Sequence, residues 1–182
     1  MKAMPNFPKK SSLFFVVFVT AMMTTLPVMA QRGDDADRIS KNGKTEGVID
    51  GVETVLEYGR PKVKGREIWG GLVPYDKVWR TGANEATTIS ISADVVIEGK
   101  TLPKGKYALF TIPGVEKWII IFNKTAKQSG AFGYDEGQDA LRIEVVPASG
   151  EHVEEMTFII EDSSIVLVWE KLRVSIDIAA VS

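Results

Sequence analysis

The stretch Glu155-Met-Thr-Phe-Ile-Ile-Glu-Asp-Ser-Ser-Ile-Val-Leu-Val-Trp-Glu-Lys-Leu-Arg-Val-Ser-Ile-Asp-Ile178 decides the fold. Met156, Phe158 and Ile160 alternate with Glu155, Thr157 and Glu161. After the turn-like Glu161-Asp-Ser-Ser164, Ile165, Leu167 and Trp169 alternate with Val166 and Val168. Leu172, Val174, Ile176 and Ile178 then alternate with Arg173, Ser175 and Asp177. Successive side chains of a strand point to opposite faces, so a period of two marks sheet with one face on a core.

Moving towards the N-terminus, the same period recurs. Leu141, Ile143 and Val145 alternate with Arg142 and Glu144. His152 follows in a polar, turn-like segment, residues 149–152. Trp118, Ile120 and Phe122 stand opposite Ile119 and Ile121, a run apolar on both faces that predicts a central strand covered on both sides. Tyr107, Leu109 and Thr111 alternate with Ala108, Phe110 and Ile112, preceded by the turn chemistry of Pro103-Lys-Gly105. Ile89 and Ile91 form another pair, Val95 to Ile97 a short run, and Val52, Thr54, Leu56 and Tyr58 share one face. No helical stripe of ten residues follows residue 30. Short strands at close spacing predict an all-β fold, a single β-sandwich, jelly-roll-like or Greek-key, of eight to ten strands.

Residues 1–30 read as an export signal: Lys2, Lys9 and Lys10, then an apolar run from Leu13 to Met23, then Pro27 and Val28-Met-Ala30 before a cut at Gln31. The expected mature protein is soluble and periplasmic or extracellular, with no stable membrane anchor after cleavage. Residues 31–47 are polar, with Gly33, Gly43 and Gly47, and read as a flexible linker; residues 48–182 are the sandwich domain. Residues 31–182 make 152, one domain's worth of chain, able to bury about 68–70% of its unfolded surface. The chain has 22 basic and 24 acidic residues; losing three lysines with the signal leaves 19 against 24, or −5. That balance supports neither nucleic acid nor an anionic membrane as a partner.

The absence of cysteine excludes disulfides and a lipid-bearing thiol, and a single histidine excludes multi-histidine metal sites. A Ser-His-Asp triad lacks a suitable base. No phosphate-binding glycine loop is present, so no cofactor is expected. Residues 124–139 break the alternation with three glycines and three acids, and their spacing fits no calcium loop, so no metal is expected there. A flap over a site or a surface loop fits them better.

Candidate binding residues concentrate between Trp69 and Thr88: Trp69, Tyr75, Trp79, Arg80, Asn84 and Glu85, among Gly70, Gly71, Pro74 and Gly82. A four-residue hairpin loop over residues 81–84 would set Arg80 across from Glu85. That pair reads either as part of a site for a small polar ligand, glycan fragment or partner peptide, or as a buried brace that locks the fold. A carboxylate-based hydrolase would instead join Glu85 to Asp76 or Glu170. Arg60, Lys62, Lys64 and Arg66 share one side of an extended segment. They read as an anion-attracting rim or as the basic protection of a sheet edge.

Four ordered motifs carry a resemblance. They are Gly59-Arg-Pro61 through Arg66, Gly71-Leu-Val-Pro-Tyr75 through Trp79-Arg-Thr-Gly-Ala-Asn-Glu-Ala-Thr87, Leu102-Pro103 through Pro113, and Trp118 through Asn123. Together with Trp169-Glu170 they resemble the domain-of-unknown-function 2911 family of exported bacterial proteins. The resemblance implies an exported β domain and brings no assigned activity or catalytic residue.

Overall fold

A computed structural model describes Met1 and residues 34–181. The export segment and the first three linker residues lie outside the described residues. Ten strands follow in order: β1 Lys41–Ile49, β2 Val52–Arg60, β3 Thr87–Ile91, β4 Val95–Ile97 and β5 Lys100–Leu102 come first. Then come β6 Gly105–Ile112, β7 Trp118–Asn123, β8 Asp139–Val145, β9 Ala148–Glu161 and β10 Ser164–Ala180. They form a six-stranded sheet, β1-β2-β3-β6-β7-β8, and a four-stranded sheet, β5-β4-β10-β9. Every strand pairing is antiparallel. The all-β sandwich is therefore the architecture, and the alternating residues are what fill it. Leu56, Ile89, Trp118, Ile120, Phe122, Phe158, Leu167 and Trp169 are all buried in one core. Each large aliphatic or aromatic side chain so buried contributes about 1.5–3 kcal/mol.

Two sequence readings change at the strand level. Residues 41–47, read as linker, belong to β1, which pairs with β2 continuously from Lys41–Arg60 to Ile49–Val52. β1 is an edge strand held by main-chain pairing and by the Thr45 hydroxyl, which donates to Phe158 O at 2.7 Å. It buries few side chains, so hydrophobic period carries no sign of it. Residues 149–152, read as a turn, are the start of β9.

Ile165–Trp169 and Leu172–Ile178 are a single strand of 17 residues. Trp169 and Val174 are both buried in the core although their numbers differ in parity. The alternation breaks at Glu170, whose φ is +55 and on both sides of which the register with β9 shifts. Beyond that break the even-numbered residues Val174, Ile176 and Ile178 face the core.

The two sheets are joined directly beside β2. Beyond Arg60 the chain continues into the second sheet, with Met156 N–H donating to Pro61 O at 3.0 Å and Val63 N–H to Glu154 O at 2.8 Å. Residues 61–63 thus lie alongside β9, paired to it by main-chain bonds. Alternation sends Val63 to the core and leaves Lys62 and Lys64 exposed.

The outer face of β6 and β7 carries a second, smaller core of Ala86, Ala108, Phe110 and Ile121, packed by Ala131 and Tyr134. The double-sided apolar pattern of β7 is thus explained. Residues 124–138 supply its cover, fastened by a closed polar network. Asn123 Nδ2 donates to Asp139 Oδ1 at 2.8 Å, Tyr134 Oη to Asp139 Oδ2 at 2.7 Å, and Arg142 Nη2 to Tyr134 Oη at 2.8 Å. Burial pushes the Tyr134 phenol up to about 12, and its hydrogen bond to Asp139 works in the same direction.

Candidate functional site

The loop after Trp79 is positioned from both ends. Trp79 bridges to Thr111 on β6, with Trp79 N–H donating to Thr111 O at 2.7 Å and Thr111 N–H returning to Trp79 O at 2.9 Å. Glu85 bridges to Ser129 instead. Between them three buried threonines hold the turn: Thr81 Oγ1 donates to Thr111 Oγ1 at 3.2 Å and Thr87 Oγ1 to Thr81 O at 2.7 Å. Thr81 and Asn84 both take positive φ, +54 and +64. The loop also lies directly on β2, where a Cβ added to Gly59 would stand 2.1 Å from Ala83 O. No side chain fits there.

This geometry overturns the expected hairpin pairing. Trp79 and Glu85 bridge to different elements, and Glu85 pairs with Arg38: Nη1 to Oε2 at 2.6 Å and Nη2 to Oε1 at 2.5 Å. Arg38 lies ten residues before the expected start of the domain at residue 48, in a segment that crosses the loop. There Asn84 Nδ2 donates to Ser40 O at 3.1 Å, and Asn42 N–H to Asp35 Oδ1 at 2.7 Å. The fork raises the Arg38 pKa, chiefly through its hydrogen bond to Glu85. Nothing in the local sequence of Arg38 announces a partner 47 residues away.

Arg80 has a different role. No carboxylate pairs with it among the described residues, and its Nε is buried without a hydrogen-bond partner. Burial alone lowers its pKa. An unmet buried donor costs about 1–3 kcal/mol, more for a charged group. Arg80 lines a cavity of about 230 Å³. Its buried lining is apolar, with Trp79, Trp169 and Val73, and it is also lined by Lys62, Lys64 and Arg66 and by Ile39 and Ser40. Among the described residues no acidic one lines it.

At the apolar lining four indoles pack together. Trp69 lies 4.9 Å from Trp118, 5.6 Å from Trp169 and 6.0 Å from Trp79, edge to face, while Trp79 and Trp169 stack at 5.9 Å. Trp79 Nε1 donates to Gly82 O at 3.2 Å, whereas Nε1 of Trp69, Trp118 and Trp169 is buried without a partner. The tryptophans are first of all core residues, and only Trp79 and Trp169 reach the cavity.

Of the six expected binding residues, Trp79 and Arg80 line the cavity together. Trp69 supports the apolar lining; Asn84 and Glu85 anchor the crossing segment; Tyr75 packs its ring over Gly70. The basic segment supplies three of its four cations, since Arg60 turns away to Glu155 at 3.3 Å. Sequence reasoning saw this segment and the Arg80 loop but did not join them. Trp169, Ile39 and Ser40 were missed as cavity residues, being read as strand and linker.

The carboxylates considered for hydrolysis are not gathered here. Glu85 is held by Arg38, Glu170 accepts the Lys171 N–H at 2.6 Å, and neither they nor Asp76 lines the cavity. Among the described residues no group of three or more His, Cys, Asp or Glu is arranged to hold a metal ion.

Residues 40–178 match the model of a family described as a protein of unknown function, DUF2911. Neither a curated protein nor a solved structure matches the chain.

Proposed function

Because the chain belongs to the DUF2911 family, whose description assigns no activity, we propose its role from the site alone: an exported binding domain that takes a small polar ligand into the cavity lined by Arg80. The observation that carries this reading is the buried Arg80 Nε without a partner in a cavity wall. A group whose only office was to lock the fold would have its buried donor met, because an unmet buried donor opposes folding. The volume of about 230 Å³ suits a compact molecule and not a peptide or an extended glycan. Pockets of this kind combine apolar walls with a few placed polar groups, as Trp79, Trp169 and Val73 do with Arg80. The order of residues 1–30, basic then apolar then small, supports export.

Ligand-observed NMR on the mature domain tests the site, using a mixed set of sugars, amino acids and organic acids. Leu72 lines the cavity and is 46% exposed, so Leu72→Trp fills the space with little demand on the core. Compounds that bind the native domain should lose their signal with this variant. Binding that ignores it, or no binding at all, overturns the reading. Mass analysis of the native protein's N-terminus tests export: it should begin at Gln31, and a retained Met1 would refute cleavage.

A further inference from the structure

The charges around the cavity point to the class of ligand, an inference that rests on the binding reading above. Lys62, Lys64, Arg66 and Arg80 come from two separate segments and line one space. The whole chain has more acidic residues than basic, 24 against 22, yet among the described residues the cavity lining has four cations and no carboxylate. Two acids of the neighbouring strand β9 meet groups other than the side chains of these four cations. Glu155 pairs with Arg60, and Glu154 accepts the Lys64 main-chain N–H at 3.0 Å while facing His152 at 3.6 Å. Arg66 donates to the carbonyls of Val63 and Lys62, which fixes the segment without neutralising its charge.

Like charges brought together repel and weaken the folded state, the more so where a wall of low polarizability confines the field. One carboxylate on a ligand would answer Arg80 and leave three cations facing one another. We infer that the cavity binds a compact polyanion, a small molecule bearing a phosphate or several carboxylates. Its oxyanion oxygens meet Arg80 and the two lysines, and its carbon skeleton, where it has one, lies against Trp79. Arg80 has the geometry for this, since a guanidinium presents a planar fork of donors to phosphate or carboxylate oxygens. Lys62 and Lys64 act as point charges at the mouth, where both are exposed. At about 30 Å³ per water, the volume of about 230 Å³ corresponds to roughly eight waters, the scale of pyrophosphate or citrate.

Isothermal titration of the mature domain with pyrophosphate, citrate and glucose decides the matter. Pyrophosphate and citrate should bind, more weakly as salt rises, and glucose should not. Arg80→Gln should weaken both anions about tenfold or more, the scale of a lost charge-assisted hydrogen bond. The double variant Lys62→Gln/Lys64→Gln should weaken them as well, and, with both positions exposed, it serves even if Arg80→Gln folds poorly. Lys117→Gln, which removes a cation paired with Glu144, should change nothing. Anion binding indifferent to Arg80 and to the lysine pair would place the anions elsewhere and overturn the inference. Glucose binding that Leu72→Trp abolishes, without anion binding, would overturn the polyanion while keeping the binding domain. No heat from any probe, together with no NMR hit, would overturn both.

Discussion

Arg38 and Glu85 form a two-bond fork across 47 residues, at 2.6 and 2.5 Å, and tie the segment before β1 over the loop that carries Arg80. Glu85→Gln removes the charge on one side of the fork and leaves its shape. Trypsin should then cut after Arg38 or Lys41 sooner than in the native protein, while the sandwich stays intact. The pair is partly exposed, so high salt should mimic the variant in part. Equal cutting rates would show that Asn84 and Asp35 hold the segment without the fork.

Arg80 and Glu85 should be energetically independent. Glu85 pairs with Arg38, and no carboxylate among the described residues pairs with Arg80, so the coupling in an Arg80→Met/Glu85→Gln cycle should stay within about 0.5 kcal/mol. Arg80→Met removes a half-buried cation whose Nε has no partner and keeps most of its apolar stem, so the urea midpoint should hold or rise. A loss beyond about 3 kcal/mol in both single variants, recovered in part by the double, is the signature of a brace and would contradict the geometry.

Gly59→Ala should be disproportionately costly. The new methyl would meet Ala83 O at 2.1 Å, a backbone atom that cannot rotate away. Overpacking of this kind costs about 1–3 kcal/mol or more, and the displaced loop is the one that carries Arg80. Urea melts give the stability change, and the same variant should bind less in the NMR screen.

Stability should fall in strong alkali through Tyr134. Its folded pKa is raised to about 12, chiefly by burial, against about 10 for an unfolded tyrosine. Below pH 10 both states hold the proton and the contribution is complete. Between 10 and about 12 the unfolded chain releases its proton first, so stability declines as pH rises. Tyr134→Phe should flatten that part of the profile in urea melts taken at a series of pH values.

The legible and the illegible parts of the sequence divide along physical lines. Met156, Phe158, Ile165, Leu167 and Trp169 announce their strands because a buried face imposes a period of two on side chains. β1 has no such face, so residues 41–47 pass for linker until their main-chain partner is known. Trp79 and Arg80 stand out by residue type, and both reach the cavity. The pairing of Glu85 with Arg38, rather than with Arg80, depends on which elements the loop ends bridge. The separation of 47 residues leaves no local pattern to read. The break at Glu170 has a trace in hindsight: apolar positions change from odd to even numbers between Trp169 and Leu172.

β10 has a consequence for when this protein can become a protein at all. The last long strand is the middle of the four-stranded sheet, pairing with β9 on one side and with β4 on the other. Without it β4 and β5 have no neighbour to complete their sheet, and Leu56, Trp118 and Phe122 face a missing half of the core. A ribosome-bound chain that has not yet released Ser164–Ala180 therefore lacks the strand that closes this sheet, and closure must wait until that strand is free to move. Until then the polypeptide stays threadable, because half of its core has nothing to pack against.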